Sequence, residues 1–401
     1  PEGGYGWLVV LSAFFINFTV FGSTYTWGVY QELYLTDIYK GQITTFQLTF
    51  AGGLGMALIY TSGPFFGALR QRFGIKLLMC AGAVLQPLGL LLASWANSPW
   101  HLYLTHGLIA GFGASLVYFP SMFLPTQWFM KRRGLATGVA VSGSGIGGLV
   151  FGPLTRVLID TVGFRWCLRY TAIGSFVIFV VAVLLARDSQ IQATRQKIID
   201  VSLLKRADFA ALTMMTTLAI FGYIIPFYFL PSYATFIGLS TTDGALFVGL
   251  TTGINAAGRI FLGYAADVLG RVNTLFTCVL FTGVTVLLIW TFSTSYGVLL
   301  LFVLLYGFIA GGFVSLLPVV MAELVGRSFE LRIILDAIIE SSRSTLGYLF
   351  GPPIAGALLD ATAPNTSYLP VQLFCGITTV LASTFVAWLR VMRTKKWFVR
   401  V

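Results

Sequence analysis

Long apolar stretches alternate with short polar loops along almost the whole chain. A helix needs roughly 20 apolar residues to cross a bilayer, and twelve stretches meet this requirement. They cover residues 7–30, 43–69, 77–95, 101–126, 135–159, 166–186, 210–235, 245–266, 272–292, 297–322, 331–359 and 370–391. The pattern predicts an all-α membrane protein with 12 transmembrane helices.

One long polar stretch, Arg187 to Asp208, divides the twelve segments into two sets of six. We therefore expect three parts in the chain. An N-terminal six-helix bundle covers residues 1–186, a cytoplasmic linker covers 187–209, and a C-terminal six-helix bundle covers 210–401.

Basic residues are concentrated in the loops that follow even-numbered segments, whereas the odd-numbered loops carry only Lys40 and Arg165. Short loops rich in Lys and Arg stay on the cytoplasmic side. We therefore expect a multi-pass protein of the plasma membrane with both termini in the cytoplasm. The even-numbered loops contain Arg70, Arg72, Lys76, Lys131, Arg132, Arg133, Arg187, Arg195, Lys197, Lys205, Arg206, Arg271 and Arg327.

The composition agrees with a membrane protein. Of the 401 residues, 57% are hydrophobic and 10% are charged, compared with about 25% charged residues in soluble domains. The net charge of +11 lies mainly in the loops, which gives nucleic-acid binding little support. The four cysteines lie in apolar stretches without a CxxC motif, so we expect buried thiols and neither disulfides nor a metal site. They are Cys80, Cys167, Cys278 and Cys375.

Two pairs of similar sequences indicate an internal repeat. "GALRQRFGIK" follows the second segment and "GYAADVLGRV" follows the eighth, at an offset of 196 residues. Parallel repeats of this kind are typical of secondary transporters whose substrate site lies between two halves near the membrane midplane. A second match, at an offset of 200, pairs Pro153, Leu158 and Asp160 with Pro353, Leu358 and Asp360.

The second copy of the first pair resembles the loop motif of the major facilitator superfamily. Its glycines allow helices to approach closely. Asp267 can meet a helix N-terminus or a basic partner at a cytoplasmic gate, with Arg271 beside it. In the first copy, Gln71 and Ile75 occupy these two positions.

Three further stretches resemble signatures of the monocarboxylate transporter family within that superfamily. They are "EGGYGW" at the start of the chain, "WFMKRRGLATG" before the fifth segment, and "FGPPIAG" in the eleventh. The resemblance covers the whole chain and is that of a divergent microbial or fungal-type member. It implies two six-helix bundles related by a pseudo-two-fold repeat and transport by alternating access. We favour structural or gating roles for these motifs, including Lys131, Arg132 and Arg133.

Arg259 is the strongest candidate for substrate binding. It lies eight residues before Asp267, about 12 Å along a helix, and so near the midplane of a roughly 30 Å hydrocarbon core. Charges at this depth are functional hypotheses by default, and a guanidinium can bind a carboxylate through two hydrogen bonds. The alternative is a structural ion pair with Asp336 or Glu340.

The resemblance implies further residues of the substrate site. Arg259 matches the arginine of an Asp/Arg pair in the family, but Asn255 stands at the acidic position. Tyr25 stands where the family has a lysine on helix one. Ala310 replaces a large aromatic residue, with Phe308 and Phe313 on either side. These exchanges leave proton coupling in doubt and favour a solute larger than lactate, either an exported metabolite or an imported vitamin.

Other polar groups in the membrane are candidates for coupling or gating. Asp336, Glu340 and Arg343 share one helix face, where they form either a proton relay or gate salt bridges. His106 titrates near neutrality when unperturbed, although a packed histidine is the alternative. Residues that could line a polar cavity are Asn17, Tyr25, Tyr118, Tyr223, Tyr228 and Tyr306.

The sequence thus predicts a secondary active transporter of small organic anions, with or without proton coupling. The alternative within this class carries a larger metabolite without protons, and the alternative outside it is a non-transporting membrane sensor. An enzyme is not expected, because the sequence contains no HExxH, GxSxG or P-loop motif. We expect no cofactor or metal, while the lipid bilayer and a small solute are partners and a single-span accessory subunit is compatible with the resemblance.

Overall fold

The computed structural model describes residues 3–61, 63–129, 133–188, 207–325, 329–363 and 366–393. Within these ranges all regular structure is helical, and no strand occurs. The predicted fold class is confirmed.

The first six helices, α1–α6, form the N-terminal half. Helix α1 comprises Tyr5–Tyr25, Trp27–Leu33 and a π-helical end at Tyr34–Ile38. Helix α4 comprises Pro99–Leu102, a π-helical stretch at Tyr103–Ile109, and Ala110–Trp128. The other helices are α2 (Thr45–Thr61), α3 (Phe66–Ala93), α5 (Arg133–Val162) and α6 (Phe164–Leu185).

The second six helices, α7–α12, form the C-terminal half. Helix α7 comprises Ala207–Tyr223 and Ile225–Phe236, and α9 comprises Arg271–Thr285 and Val286–Trp290. The other helices are α8 (Thr241–Leu269), α10 (Tyr296–Val325), α11 (Phe329–Asp360) and α12 (Leu369–Arg393). Ten spans of the described chain are long and apolar enough to cross a membrane, and α2 adds a shorter apolar stretch.

Equivalent glycines separate the second and third spans of each half. Gly74 has a φ of 74° inside α3 and interrupts the helix there. Gly270 has a φ of 98° between α8 and α9. Glycine adopts this left-handed region readily and other residues rarely do, which explains why the repeat retains glycine at both positions.

The first helix of each half is broken near its middle. In α1 the break is at Thr26, whose hydroxyl donates to the Ser23 carbonyl at 2.7 Å. In α7 the break is at Ile224, and Pro226 follows it without a backbone N–H to donate to the preceding turn. Each break therefore follows directly after a tyrosine, Tyr25 or Tyr223.

The two halves meet along two long helix pairs, α2 with α11 and α5 with α8. Glycines allow this approach. A Cβ atom added to Gly53 would lie 2.5 Å from the carbonyl oxygen of Tyr348. A Cβ atom on Gly145 would overlap with Ala256. The second segments of α1 and α7 also pack together, which closes the end of the bundle formed by the odd-numbered loops, here called the odd-loop end.

A polar contact adds to this closure. The carboxylate of Asp360, at the end of α11, accepts hydrogen bonds from the backbone N–H groups of Thr45 at 3.0 Å and Phe46 at 2.8 Å. These groups open α2, so the C-terminal half caps a helix of the N-terminal half. The repeat-related Asp160 instead forms an ion pair with Arg156 on its own helix, at 2.6 Å.

The expectation of four buried thiols is wrong for one of them. Cys167, Cys278 and Cys375 are buried, but Cys80 is exposed on α3. It shares its helix face with the exposed side chains of Leu77, Val84 and Leu88. An apolar face directed at lipid is stable in a membrane, so an apolar neighbourhood along the sequence does not guarantee burial.

Candidate substrate-binding site

Arg259 lies between the two halves and is held from both. Its Nε donates to Oδ1 of Asn255, one turn earlier on α8, at 2.9 Å. Its Nη1 donates to the hydroxyl of Ser144 on α5 at 2.8 Å. Asn255 is fixed in turn because its Nδ2 donates to the Gly307 carbonyl on α10 at 3.2 Å. Neutral partners in the described part of the chain thus engage two of the five guanidinium N–H donors.

Tyrosine side chains from three further helices surround this guanidinium. Tyr25 on α1, Tyr223 on α7 and Tyr60 on α2 are close enough to interact with it electrostatically. Tyr223 is only 3% exposed, and among the described residues its hydroxyl has no hydrogen-bond partner. A buried hydroxyl normally finds a partner, so this group is available to a ligand beside Arg259.

Aromatic rings extend the site on both sides of the interface. Tyr60 stacks on Tyr348 of α11 with ring centroids 5.4 Å apart and contacts Tyr118 at 5.7 Å. Tyr25 stacks on Phe227 of α7 at 4.9 Å. The sequence analysis did not identify Ser144, Tyr60 or Tyr348, since they reach the site only through the packing of the two halves.

The helix-ten candidates lie in different places. The ring of Phe313 is 6.0 Å from that of Tyr223, at the edge of the site. Ala310 is fully buried. Phe308 lies apart from this group, with its ring 5.7 Å from that of Phe261, which is 62% exposed.

His106 lines a small cavity that does not include Arg259. This cavity lies among α1, α2, α3 and α4, has room for about two water molecules, and is closed by Tyr228 from α7. The His106 ring packs against Trp27 with centroids 4.7 Å apart. Within the described residues, His106 Nδ1, Gln86 Oε1 and the Tyr228 hydroxyl have no hydrogen-bond partner. A coupling role for His106 stays a prediction.

Most of the predicted gating residues lie outside what the structure describes. Lys131 and Arg132 are outside the described residues. For Arg133, Asp267, Asp336, Glu340 and Arg343 only the helical backbone is described, and Arg271 begins α9. The gating roles of these residues stay predictions.

The first two family signatures contact each other. The Tyr5 ring lies 5.8 Å from that of Trp128, and the Trp7 ring lies 4.9 Å from that of Phe129. A Cβ atom on Gly6 would lie 2.9 Å from the Phe129 ring. The Trp128 indole donates to the Arg187 carbonyl at 2.9 Å. The motifs thus join the start of α1 to the end of α4, which supports a structural role.

Comparison with known proteins agrees with this architecture. The family model described as "Major Facilitator Superfamily" matches residues 8–331. The chain belongs to this superfamily. It is therefore a multi-pass integral membrane protein of a transporter family, and its members are not enzymes.

The similar proteins include transporters with different named roles. Monocarboxylate transporter 13 of Bos taurus is 30% identical over 92% of this chain and 86% of its own length. The aspyridones efflux protein apdF of Emericella nidulans is 28% identical over 93% of this chain and 75% of its own length. The MFS-type transporter pynF of Aspergillus niger is 28% identical over 92% and 85%.

Two solved structures share the fold. A mutant of the nucleoside transporter NupG has a TM-score of 0.75 at 13% identity and covers 95% of this chain and 99% of its own. A bacterial homologue of the lysosomal transporter Spinster, in an inward-facing and unoccupied conformation, has a TM-score of 0.69 at 13% identity, over 97% and 96%.

Proposed function

We propose that the protein carries an organic anion across the plasma membrane by alternating access and that Arg259 binds the negative group of the substrate. The observation that supports this most directly is the setting of the guanidinium. It lies between the halves, is held by the neutral side chains of Asn255 and Ser144, and forms no ion pair with any described carboxylate. A substrate carboxylate would supply the missing charge.

The site favours an anion larger than lactate. Tyr25 and Phe227 form a stacked pair across the interface, and Tyr60 and Tyr348 form another. Flat aromatic surfaces of this kind suit a substrate with an apolar or aromatic body next to its negative group. Relatives whose names describe efflux of metabolites support export as the direction, and uptake of a small monocarboxylate is the competing outcome.

The two interfaces support alternating access. The odd-loop end is closed by the α1–α7 contact and by the cap that Asp360 places on α2. With the even-numbered loops in the cytoplasm, as their basic residues predict, this arrangement is closed to the outside. Rocking of the halves about Arg259 would open this end and close the other.

Transport by purified protein in liposomes tests the proposal. Labelled lactate, an aromatic monocarboxylate and a neutral analogue are compared, each with and without a proton gradient. Arg259→Ala should lower transport of the preferred acid about 10- to 100-fold, because a charge-assisted hydrogen bond contributes roughly 1.5–3 kcal/mol. Arg165→Ala is the matched control, since Arg165 bonds Asn97 outside the site at 3.0 Å.

Two outcomes would contradict the proposal. Equal transport by Arg259→Ala and the wild type would reduce Arg259 to a structural residue. Equal lactate uptake by the wild type and an Asn255→Asp variant would refute the preference for larger anions, since the variant restores the acidic residue that the family has at this position.

A further inference from the structure

Glu32 is a buried carboxylate that the site around Arg259 does not use. It lies on the second segment of α1, Trp27–Leu33, and is 4% exposed. That segment packs on the second segment of α7 at the odd-loop end. Within the described chain, its Oε2 has no hydrogen-bond partner, and no ion pair includes Glu32.

The groups facing Glu32 come from three other helices or their ends. They are Thr235 on α7, Arg156 on α5 and Tyr368 just before α12. The carboxylate of Asp160 already holds the Arg156 guanidinium through two hydrogen bonds, at 2.6 and 3.0 Å. The positive charge of Arg156 is therefore shared with another acid.

Thr235 can accept a hydrogen bond from a protonated Glu32, although its hydroxyl can also turn to donate to the ionised carboxylate. Its own hydroxyl proton is directed at the Ser232 carbonyl at 3.0 Å, which leaves the lone pairs of its oxygen free to accept. A protonated Glu32 can donate to this oxygen and an ionised one cannot. An ionised carboxylate buried without a partner is so unfavourable that such groups take up a proton.

The burial of Glu32 depends on closure of the odd-loop end. Gly28, four residues earlier, packs directly against the Phe227 carbonyl of α7, and Tyr25 stacks on the Phe227 ring. Separation of α1 from α7 would remove Thr235 and Tyr368 from Glu32 and admit water. The carboxyl group would thus be dry while this end is closed and hydrated once it opens.

We propose that Glu32 is the proton-binding site of this transporter, taking up a proton from water when the odd-loop end closes and releasing it when that end opens. The proposal rests on the proposed function. Glu32 would supply the acidic group that the family has at the position of Asn255. Because the closed state binds one more proton than the open state, acid favours closure. The ratio of open to closed molecules should rise by up to about tenfold per pH unit while Glu32 titrates.

Distance measurements by pulsed electron spin resonance test this without any substrate. Spin labels are placed at Lys40→Cys and Thr242→Cys, two exposed positions at the odd-loop end of different halves. The exposed Cys80 is replaced by Ser, and the protein is held in lipid nanodiscs between pH 5 and 8. The wild type should shift from short to long distances as the pH rises.

Four variants make the assignment specific. Glu32→Gln mimics the protonated acid and should stay closed at every pH, whereas Glu32→Asp should restore the dependence. Asp37→Asn is the matched control, because Asp37 is an exposed carboxylate on the same end of α1, and it should behave as the wild type. The proposal is overturned if the pH dependence persists in Glu32→Gln. It is also overturned if His106→Gln is the one variant that loses the pH dependence.

The outcome for Glu32 is separable from that for Arg259. If the pH-dependent shift depends on Glu32 but no organic anion is transported, the proton site stands and the proposed substrate class fails. If Arg259-dependent transport is found and the distances do not change with pH, the proposed function stands and the proton site fails.

Discussion

The first helix of each half breaks directly after a tyrosine, α1 at Thr26 after Tyr25 and α7 at Ile224 after Tyr223. Beyond these breaks the halves differ. Counted with the offset that relates the tyrosines, the position of Glu32 in α1 corresponds to Leu230 in α7. One half carries an ionisable group at the closed end where the other carries a leucine.

The same contrast holds around the candidate site. Arg259 and Asn255 of α8 correspond to Gly63 and Ile59 of the N-terminal half at the offset of 196. The arginine proposed to bind the anion thus lies in one half and the proposed proton site in the other. The repeat supplies two similar backbones that can rock against each other, and single side chains give each half its own chemistry.

The two long interfaces between the halves also differ. Asp360 caps α2 across the interface. The related Asp160 binds Arg156 instead, and α8 begins with its own capping box, Ser240 and Asp243. The α2–α11 contact therefore has a helix cap as its polar link, whereas the α5–α8 contact has the hydrogen bond from Arg259 to Ser144.

The largest effect is expected from a methyl group between α2 and α11. In Gly53→Ala the new Cβ would lie 2.5 Å from the Tyr348 carbonyl oxygen, and such overpacking typically costs about 1–3 kcal/mol. The closed odd-loop end should be destabilised by that amount, seen as a roughly 5- to 100-fold shift toward long spin-label distances.

Gly55→Ala is the control for this prediction. It lies two residues later on the same helix, and its Cβ would meet its nearest neighbour, the His106 carbonyl oxygen, at an ordinary 3.5 Å. If Gly53→Ala and Gly55→Ala give the same distances, the α2–α11 contact does not limit opening.

The next effect concerns the polar link. Asp360→Ala removes the acceptors that cap α2, and loss of a helix cap costs about 1 kcal/mol. The open population should rise about fivefold. Asp160→Ala removes an exposed pair worth at most roughly 0.5 kcal/mol, so at acid pH, where Glu32 is proposed to be protonated, it should change the distances little. Equal shifts in Asp360→Ala and Asp160→Ala would show that the two aspartates contribute equally to closure of the odd-loop end.

The sequence predicted the fold well because lipid imposes long apolar segments. It singled out Arg259 as a candidate because a charge at mid-membrane is rare, and the role of Arg259 stays a prediction. It predicted Asn255 as well, since four residues along a helix place two side chains on one face. Ser144, Tyr60 and Tyr348 were not found, because they join Arg259 only through contacts between helices far apart in the chain. Phe308 and Phe313 were grouped by position, yet five residues turn a helix by about 140°, and the structure separates them.

The smallest effect compares the two tyrosines that precede the breaks. Tyr25→Phe and Tyr223→Phe keep both rings in place and remove only the hydroxyls near Arg259. If both hydroxyls contact the substrate, each variant should weaken its binding about two- to fivefold, as expected for a hydrogen bond worth roughly 0.5–1 kcal/mol. Binding is measured by the substrate concentration that gives half-maximal transport.

Tyr223 is the sharper test of the two, because within the described residues its hydroxyl makes no hydrogen bond and the charged group beside it, Arg259, is itself the proposed substrate ligand. A weaker affinity in Tyr223→Phe at unchanged thermal stability therefore reports contact with the substrate. Tyr306→Phe is the control, since its hydroxyl donates to the Tyr223 carbonyl at 2.7 Å. It should lower stability and leave affinity unchanged. If Tyr25→Phe alone weakens binding, the substrate lies toward the N-terminal half. The two breaks would then both allow the helices to move, but only the tyrosine before the first would contribute to substrate recognition.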